Sequence, residues 1–213
     1  MIGKLRSFLI AVALLLWPAA SQAAVRIDFY SHEFGRTFPH AFVILQGTLD
    51  ATGEAVDTNL GFSAVTVSPA MLMRSVEGIV QIGLVTPDYA SRSTKQFSLM
   101  LSDEEYRAVM NVVEDWKTRR QPVYNLNTAN CVYFIAEIAQ ALNLKAEPQR
   151  ELMKSPKRFL EKVKADSRQI IASRAAATAS ASLAPSQAAP ADANPVVAIE
   201  RSELARELES VER

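Results

Sequence analysis

The order of apolar and polar positions divides the chain into two stretches of different character. Between Arg26 and Leu101, short runs rich in β-branched and aromatic residues are separated by turn residues, the pattern of strands. Arg26 to Ser31 reads as a first strand that runs into the polar loop SHEFGRT, which Pro39 ends. His40 to Leu49, HAFVILQGTL, reads as a second strand. Asp50 to Glu54, with Gly53, supplies a turn, and Ala55 to Val67 returns as the partner strand of a hairpin. Ser68-Pro69 predicts a short helix over Pro69 to about Glu77, with serine as cap, proline at the first position and Gly78 closing it. Ile79 to Thr86 and Lys95 to Leu101 read as two further strands.

After Leu101 the apolar period lengthens to that of a helix. Ser102 and Glu105 form a capping box, and Tyr106, Val109, Met110, Val113 and Trp116 recur behind it as one stripe. A loop containing Pro122 leads into YNLNTANCVYFIAEIAQ, Tyr124 to Gln140. There Asn127 or Thr128 is the expected N-cap, and Val132, Ile135, Ile138, Ala139 and Leu142 form the buried stripe. Ser155-Pro156 opens a last helix running to about Ser173. The whole is an α+β unit.

The two ends read differently from this middle. MIGKLRSFLIAVALLLWPAASQA has Lys4 and Arg6, an apolar run from Phe8 to Trp17, and small residues up to Ala23, which is the build of a secretory signal. The apolar run is too short for a comfortable membrane span, so no stable span is expected once the signal is removed. No cysteine follows it, so no lipid-anchored N-terminus is expected. The organisation is therefore a signal over 1–23, a folded domain over 24–173 and a tail over 174–213, in a periplasmic or secreted protein. From Arg174 the composition falls to Ala, Ser and Pro with little to bury, which predicts a flexible tail. Its last stretch, VVAIERSELARELESVER, sets Leu204, Leu208 and Val211 on one face of a charged helix, read either as a marginal solvated helix or as a helix that binds a partner.

Charge narrows the partners. The chain carries 23 basic and 23 acidic residues, and loss of Lys4 and Arg6 with the signal leaves it slightly acidic. Nothing in that balance calls for a nucleic-acid partner.

The chain holds one cysteine, Cys131, so an exported form has no internal disulfide. An unpaired thiol in an oxidising compartment is a liability, and keeping it invites a chemical explanation. With Thr128 as cap, Cys131 falls in the first turn of its helix, where unpaired amide groups favour a thiolate. The plainer alternative is a small apolar residue of the core. A nucleophile needs a base, and there are two histidines. His32 sits in the polar loop and reads as a surface residue. His40 stands after Pro39 at the mouth of an apolar strand, where it either bonds locally or faces a helix N-terminus packed across the sheet. Two histidines and one cysteine fall short of a zinc site, and no metal or cofactor is expected.

The histidine-led strand PHAFVIL, the hairpin after it, and the later Asn-Cys opening of NCVYFIAEIAQAL together resemble the circularly permuted branch of the papain-like thiol hydrolases. This branch stands with the NlpC-type cell-wall peptidases and includes the lecithin–retinol acyltransferase group. The resemblance covers about Ile27 to Leu144. It implies a permuted papain-like fold, a small antiparallel sheet packed on a helix that carries the cysteine at its N-terminus. It also implies Cys131 as nucleophile and His40 as general base and acid. The family's third polar residue comes from the next strand, Ala55 to Val67, which has no histidine. Asn59 is the candidate there, since an amide oxygen accepts the ring proton. Asp57 competes, and a plain polar pair near the turn is equally compatible. For the oxyanion, the Cys131 N–H is expected, with Tyr124 or the Asn130 side chain as a second donor.

The expected function is hydrolysis of an amide through a thioester, with an envelope peptide or another acyl-containing envelope molecule as substrate. Ester cleavage or acyl transfer on a lipid is the enzymatic variant, and a cell-envelope binding module without strong catalysis is the rival. A third reading keeps Cys131 as a core residue only.

Overall fold

The structure, a computed structural model, describes residues 25–33, 38–66, 68–118 and 123–183. The signal segment and the C-terminal amphipathic stretch lie outside the described residues. The strands are β1 (Val25–His32), β2 (His40–Thr48), β3 (Ala55–Ala64), β4 (Val76–Ile82), β5 (Thr94–Leu101) and β6 (Val123–Tyr124). The helices are α1 (Pro87–Ser91), α2 (Asp103–Thr118), α3 (Cys131–Ala141), α4 (Pro156–Asp166) and α5 (Arg168–Leu183). The six strands form one antiparallel sheet in the order β5-β1-β2-β3-β4-β6. This is a mixed α+β fold, with Cys131 as the first residue of a helix packed on an antiparallel sheet.

Alternation along the strands decides which face is the core. Ile27, Phe29, Val43, Leu45, Leu60 and Phe62 are fully or almost fully buried against the helices. Phe62 marks the contact: its ring lies 4.8 Å from Trp116 of α2 and 6.5 Å from Phe134 of α3. Trp116 is fixed in turn by its indole N–H, which donates to Glu137 at 2.9 Å. The capping box forms as expected, with Ser102 N–H on Glu105 and Glu105 N–H on Ser102 Oγ.

Several elements depart from the expected boundaries. Ser68-Pro69 opens only a 3₁₀ turn, Pro69–Leu72, and the chain enters β4 at Val76. Gly78 therefore closes no helix. A Cβ on it would stand 2.5 Å from Phe62 Cζ and 2.9 Å from the Tyr124 nitrogen, so its lack of a side chain is what lets β4 lie against the core ring and β6. β3 stops at Ala64, and the strand expected up to Thr86 stops at Ile82. Thr86 instead caps the short helix α1, accepting the Tyr89 N–H at 3.2 Å with Pro87 behind it. The last expected helix is two helices. Ser167 ends α4 and its hydroxyl accepts the Lys145 N–H at 2.8 Å, after which α5 runs from Arg168 through Leu183. Helix thus continues past Arg174, where a flexible tail is expected. Alanine favours helix, and Arg174 is anchored by an ion pair to Glu105 and a long contact to the Leu142 carbonyl.

Candidate functional site

The loop before α3 fixes where the helix starts. Asn125 and Ala129 exchange both main-chain hydrogen bonds, at 2.7 and 2.9 Å. The Asn125 side-chain oxygen accepts the N–H groups of Asn127 and Thr128 at 2.8 and 3.2 Å. Those two residues belong to a closed turn, so neither is the N-cap. Asn130 is the cap instead: its Oδ1 accepts from Val132 at 2.8 Å and from Tyr133 at 3.4 Å. Its Nδ2 donates to the carbonyls of Leu126 and Met153 at 2.9 and 2.7 Å. Both amide hydrogens are spent, and the side chain is 2 % exposed. Asn130 is therefore a cap and a tie to the 153 loop, and it has no hydrogen left to serve as an oxyanion donor.

Cys131 follows as the first helical residue and is 4 % exposed. Burial pushes its thiol from an ordinary 9.0 up to about 11. The main-chain N–H groups of Ala41, Val132 and Cys131 itself lie near enough to the sulfur to pull the value down, but burial is the larger effect. The backbone at the helix start favours a thiolate in the expected sense, while desolvation of a charged sulfur works against it and is the larger effect. The Ala41 contact is the structural result that matters. Ala41 is the residue after His40, so the sulfur lies near the start of the strand that carries the imidazole.

His40 opens β2 opposite His32. With Phe42 it alternates to the sheet face away from Val43 and Leu45, the two rings 6.0 Å apart. Burial lowers its pKa from 6.5 to about 4, the Gln81 side chain raises it, and His32 lowers it further. Nε2 has no hydrogen-bond partner of good geometry among the described residues. Its surroundings are clear from Gly61, where a Cβ would lie 3.1 Å from His40 Nε2 and 3.3 Å from Gln81 Oε1. Imidazole and amide thus share the space over Gly61, and Gln81 lies close enough to favour a protonated ring without completing a bond. With Nε2 turned to Gln81, Nδ1 is the ring nitrogen left for a thiol.

Above these groups a cleft of about 320 Å³ opens where β2 begins, walled by His40, Gln81, Tyr89 and Tyr124 among others. Cys131 is not in its wall. Both tyrosines nevertheless feel the sulfur. The Tyr89 hydroxyl is pushed up to about 12, by burial first and then by a Cys131 thiolate, and Tyr124 is raised by the same two causes. Tyr89 is held by ring contacts with His32 at 4.3 Å and Phe42 at 5.8 Å. His32 is therefore no plain surface residue: it stacks on Tyr89, and its Nδ1 meets Ser93 Oγ at 3.0 Å.

The structure brings Cys131, Tyr124 and the strand end of His40 together, and it leaves Asn59 and Asp57 elsewhere. Asn59 pairs across to Ile44, well along β2 from His40. Its side chain is spent on Val85, accepting the N–H at 2.8 Å and donating to the carbonyl at 3.1 Å. Asp57 lies farther along, accepting from Gln46 at 3.2 Å. The amide beside the imidazole is Gln81, one strand further over than expected. Register is the missing knowledge: Gly61 opposite Gln81 puts that side chain over a gap that only glycine leaves. Tyr89 lies between the two expected strands, Ile79 to Thr86 and Lys95 to Leu101, in a stretch given no element, although Thr86-Pro87 carries the same cap-plus-proline signal used elsewhere in the chain.

Among the described residues no group of three or more His, Cys, Asp or Glu side chains is gathered to hold a metal ion. No described helix is long and apolar enough to cross a membrane. Comparisons with protein-family models, with curated proteins and with solved structures found no match to this chain.

Proposed function

We propose that the protein is an exported cysteine-dependent hydrolase of permuted papain-like type that cleaves an amide, with an envelope peptide as substrate, through a thioester on Cys131. The nearness of the Ala41 N–H to the Cys131 sulfur carries this reading, because Ala41 follows His40, whose ring helps wall the cleft. In this scheme His40 takes the thiol proton as the sulfur attacks the carbonyl, then returns it to the leaving amine. Water attacks the thioester next and regenerates the thiol. Gln81 takes the imidazole-orienting role in place of Asn59. Tyr124 is the side-chain candidate for the oxyanion, beside the Cys131 N–H.

The resting pair is a neutral thiol and a neutral imidazole. Burial raises one value and lowers the other, so moving the proton from thiol to imidazole before any substrate binds is uphill. Catalysis of this kind therefore needs the substrate to drive thiolate formation, through the polar contacts its carbonyl brings. Activity requires both side chains: Cys131→Ala and His40→Ala should each abolish turnover of activated amides and esters. Wild-type turnover that survives Cys131→Ala would sink the reading.

The same burial of the thiol favours a second reading, a cell-envelope binding module that keeps the cleft and not the chemistry. It predicts no Cys131-dependent turnover of any amide or ester, while ligands still bind the cleft.

A further inference from the structure

The walls of the cleft carry information about what it holds. Apart from His40, which is neutral above about pH 4, none of its side chains is charged at neutral pH. Phe38, Met71, Leu84 and Val85 are four of the nine lining residues other than the tyrosines, and they make its apolar side. Two of these are left facing water, Phe38 at 36 % exposure and Leu84 at 58 %. A large apolar side chain in the wall of a cleft that is partly exposed to water gains by covering when an apolar group enters. At about 320 Å³ the space is at the small end for a ligand site. The loop that carries Leu84 and Val85 is fixed in place by Asn59, whose side chain holds Val85 by both its N–H and its carbonyl. The apolar wall is thus a built feature and not a loose loop.

We infer that this cleft binds the acyl half of its ligand as a short, uncharged, apolar group laid between Phe38 and Leu84, with the carbonyl toward His40. The inference rests on the hydrolase reading for the direction of the carbonyl, and not for the preference itself. A carboxylate or ammonium on that group would lose its water and meet no opposite charge, which is costly. Each methylene that enters is worth about a factor of four in binding. An apolar acyl group has two natural sources, a peptide residue with an apolar side chain and a short fatty acyl chain, and they share this chemistry.

The preference is testable without turnover. The chain has two histidines, so the ring-proton resonances of His40 are identifiable by comparison with His32→Gln. Titration of the full-length protein with hexanamide should shift the His40 resonances to saturation. Adipamate, of the same length but ending in a carboxylate, should need at least tenfold more ligand. Leu84→Glu, at an exposed position, should weaken hexanamide at least fivefold. Equal response to the two ligands, no response to either, or an unchanged Leu84→Glu variant would overturn the inference. Turnover then separates the sources. Cleavage of p-nitrophenyl hexanoate well above the acetate points to fatty acyl groups. Cleavage of the N-acetyl-leucine p-nitroanilide well above the glutamate one points to peptides. Charged and apolar acyl groups cleaved alike count against the inference. Absence of any Cys131-dependent cleavage, with hexanamide still preferred, removes the hydrolase reading and leaves the apolar cleft standing.

Discussion

The main-chain N–H of Ala41 lies near the sulfur of Cys131, which sets the tip of α3 against the start of β2, one residue past His40. That contact and two others from the helix start stabilise a thiolate, and burial still leaves the thiol at about 11. At pH 7 the thiolate fraction of the resting protein should therefore be about a hundredfold below that of an ordinary cysteine. Iodoacetamide labelling should be slow and should keep accelerating beyond pH 10. A labelling curve that levels off below pH 8.5 would show that the thiol is charged in solution, contrary to this description of the resting site.

Stability should follow pH in a way these two groups set. His40 binds its proton more weakly folded than unfolded, at about 4 against 6.5. Between those values the unfolded chain holds more protons, so stability falls as pH drops through that window, by about 3 kcal/mol in all. Cys131 works in the opposite sense. Its folded value is raised, so the unfolded chain loses its proton first and stability falls as pH climbs from about 9 to 11, again by about 3 kcal/mol. Urea midpoints should thus form a plateau between about pH 6.5 and 9. In His40→Gln the decline between pH 6.5 and 4 should shrink, and an undiminished decline would assign it to other groups.

Asn130 should be far more costly to change than its position beside a cysteine would imply. One oxygen caps two helix amides, and one nitrogen satisfies two buried carbonyls. Asn130→Ala removes all four contacts and should destabilise by about 3 kcal/mol or more. Asn130→Asp keeps the cap, loses both donors and sets a carboxylate against the two carbonyls. Its chemical-denaturation midpoint should fall by a similar amount. Equal stability of wild type and the aspartate variant would mean the ties to Leu126 and Met153 are unimportant.

Much of the frame was legible because it depends on local rules. Strand runs, the Ser102–Glu105 box and the amphipathic stripe of α2 are local patterns, and each forms. What failed depended on distant partners. Asn59 and Gln81 are equally plausible amides in the sequence; only the β3–β4 register, with Gly61 opposite Gln81, decides which one meets the imidazole. The cap moved from Thr128 to Asn130 because Asn125 had already claimed the amides of the preceding turn. Cys131 was rightly set at a helix start, but its burial comes from the sheet beneath it, which no local pattern reveals. Past Arg174 the serines and prolines argued for a loose chain, yet alanine and the Arg174–Glu105 pair carry α5 on to Leu183.

Asn59 gives a direct check on the reassigned roles. Because its side chain serves Val85, Asn59→Ala should loosen the cleft wall and cost about 1–2 kcal/mol. It should leave the His40 titration where it is. Gln81→Ala should do the reverse, lowering the His40 pKa further, since the one nearby group that favours the protonated ring is gone. NMR titration of the two variants reads both effects. A His40 value that moves in Asn59→Ala and not in Gln81→Ala would restore the original assignment.

Gly61 gives the sharpest geometric prediction, because it concerns a group that is absent. A methyl there would meet His40 Nε2 at 3.1 Å and Gln81 Oε1 at 3.3 Å, closer than side chains comfortably approach. Gln81 has a long flexible side chain and yields; the half-buried imidazole at the head of β2, stacked on Phe42, has less room. Gly61→Ala should therefore fold, at a cost of about 1–3 kcal/mol for the crowding, and should shift the imidazole from its place over β3. Its signature is a changed His40 ring resonance and a changed His40 pKa, with the Cys131 labelling curve kept because the Ala41 contact lies on the neighbouring residue. If turnover is found, Gly61→Ala should lower kcat at least tenfold with little change in KM, since the base moves and the apolar wall does not. Full activity with an unshifted His40 would mean that the space over Gly61 is not what positions the imidazole.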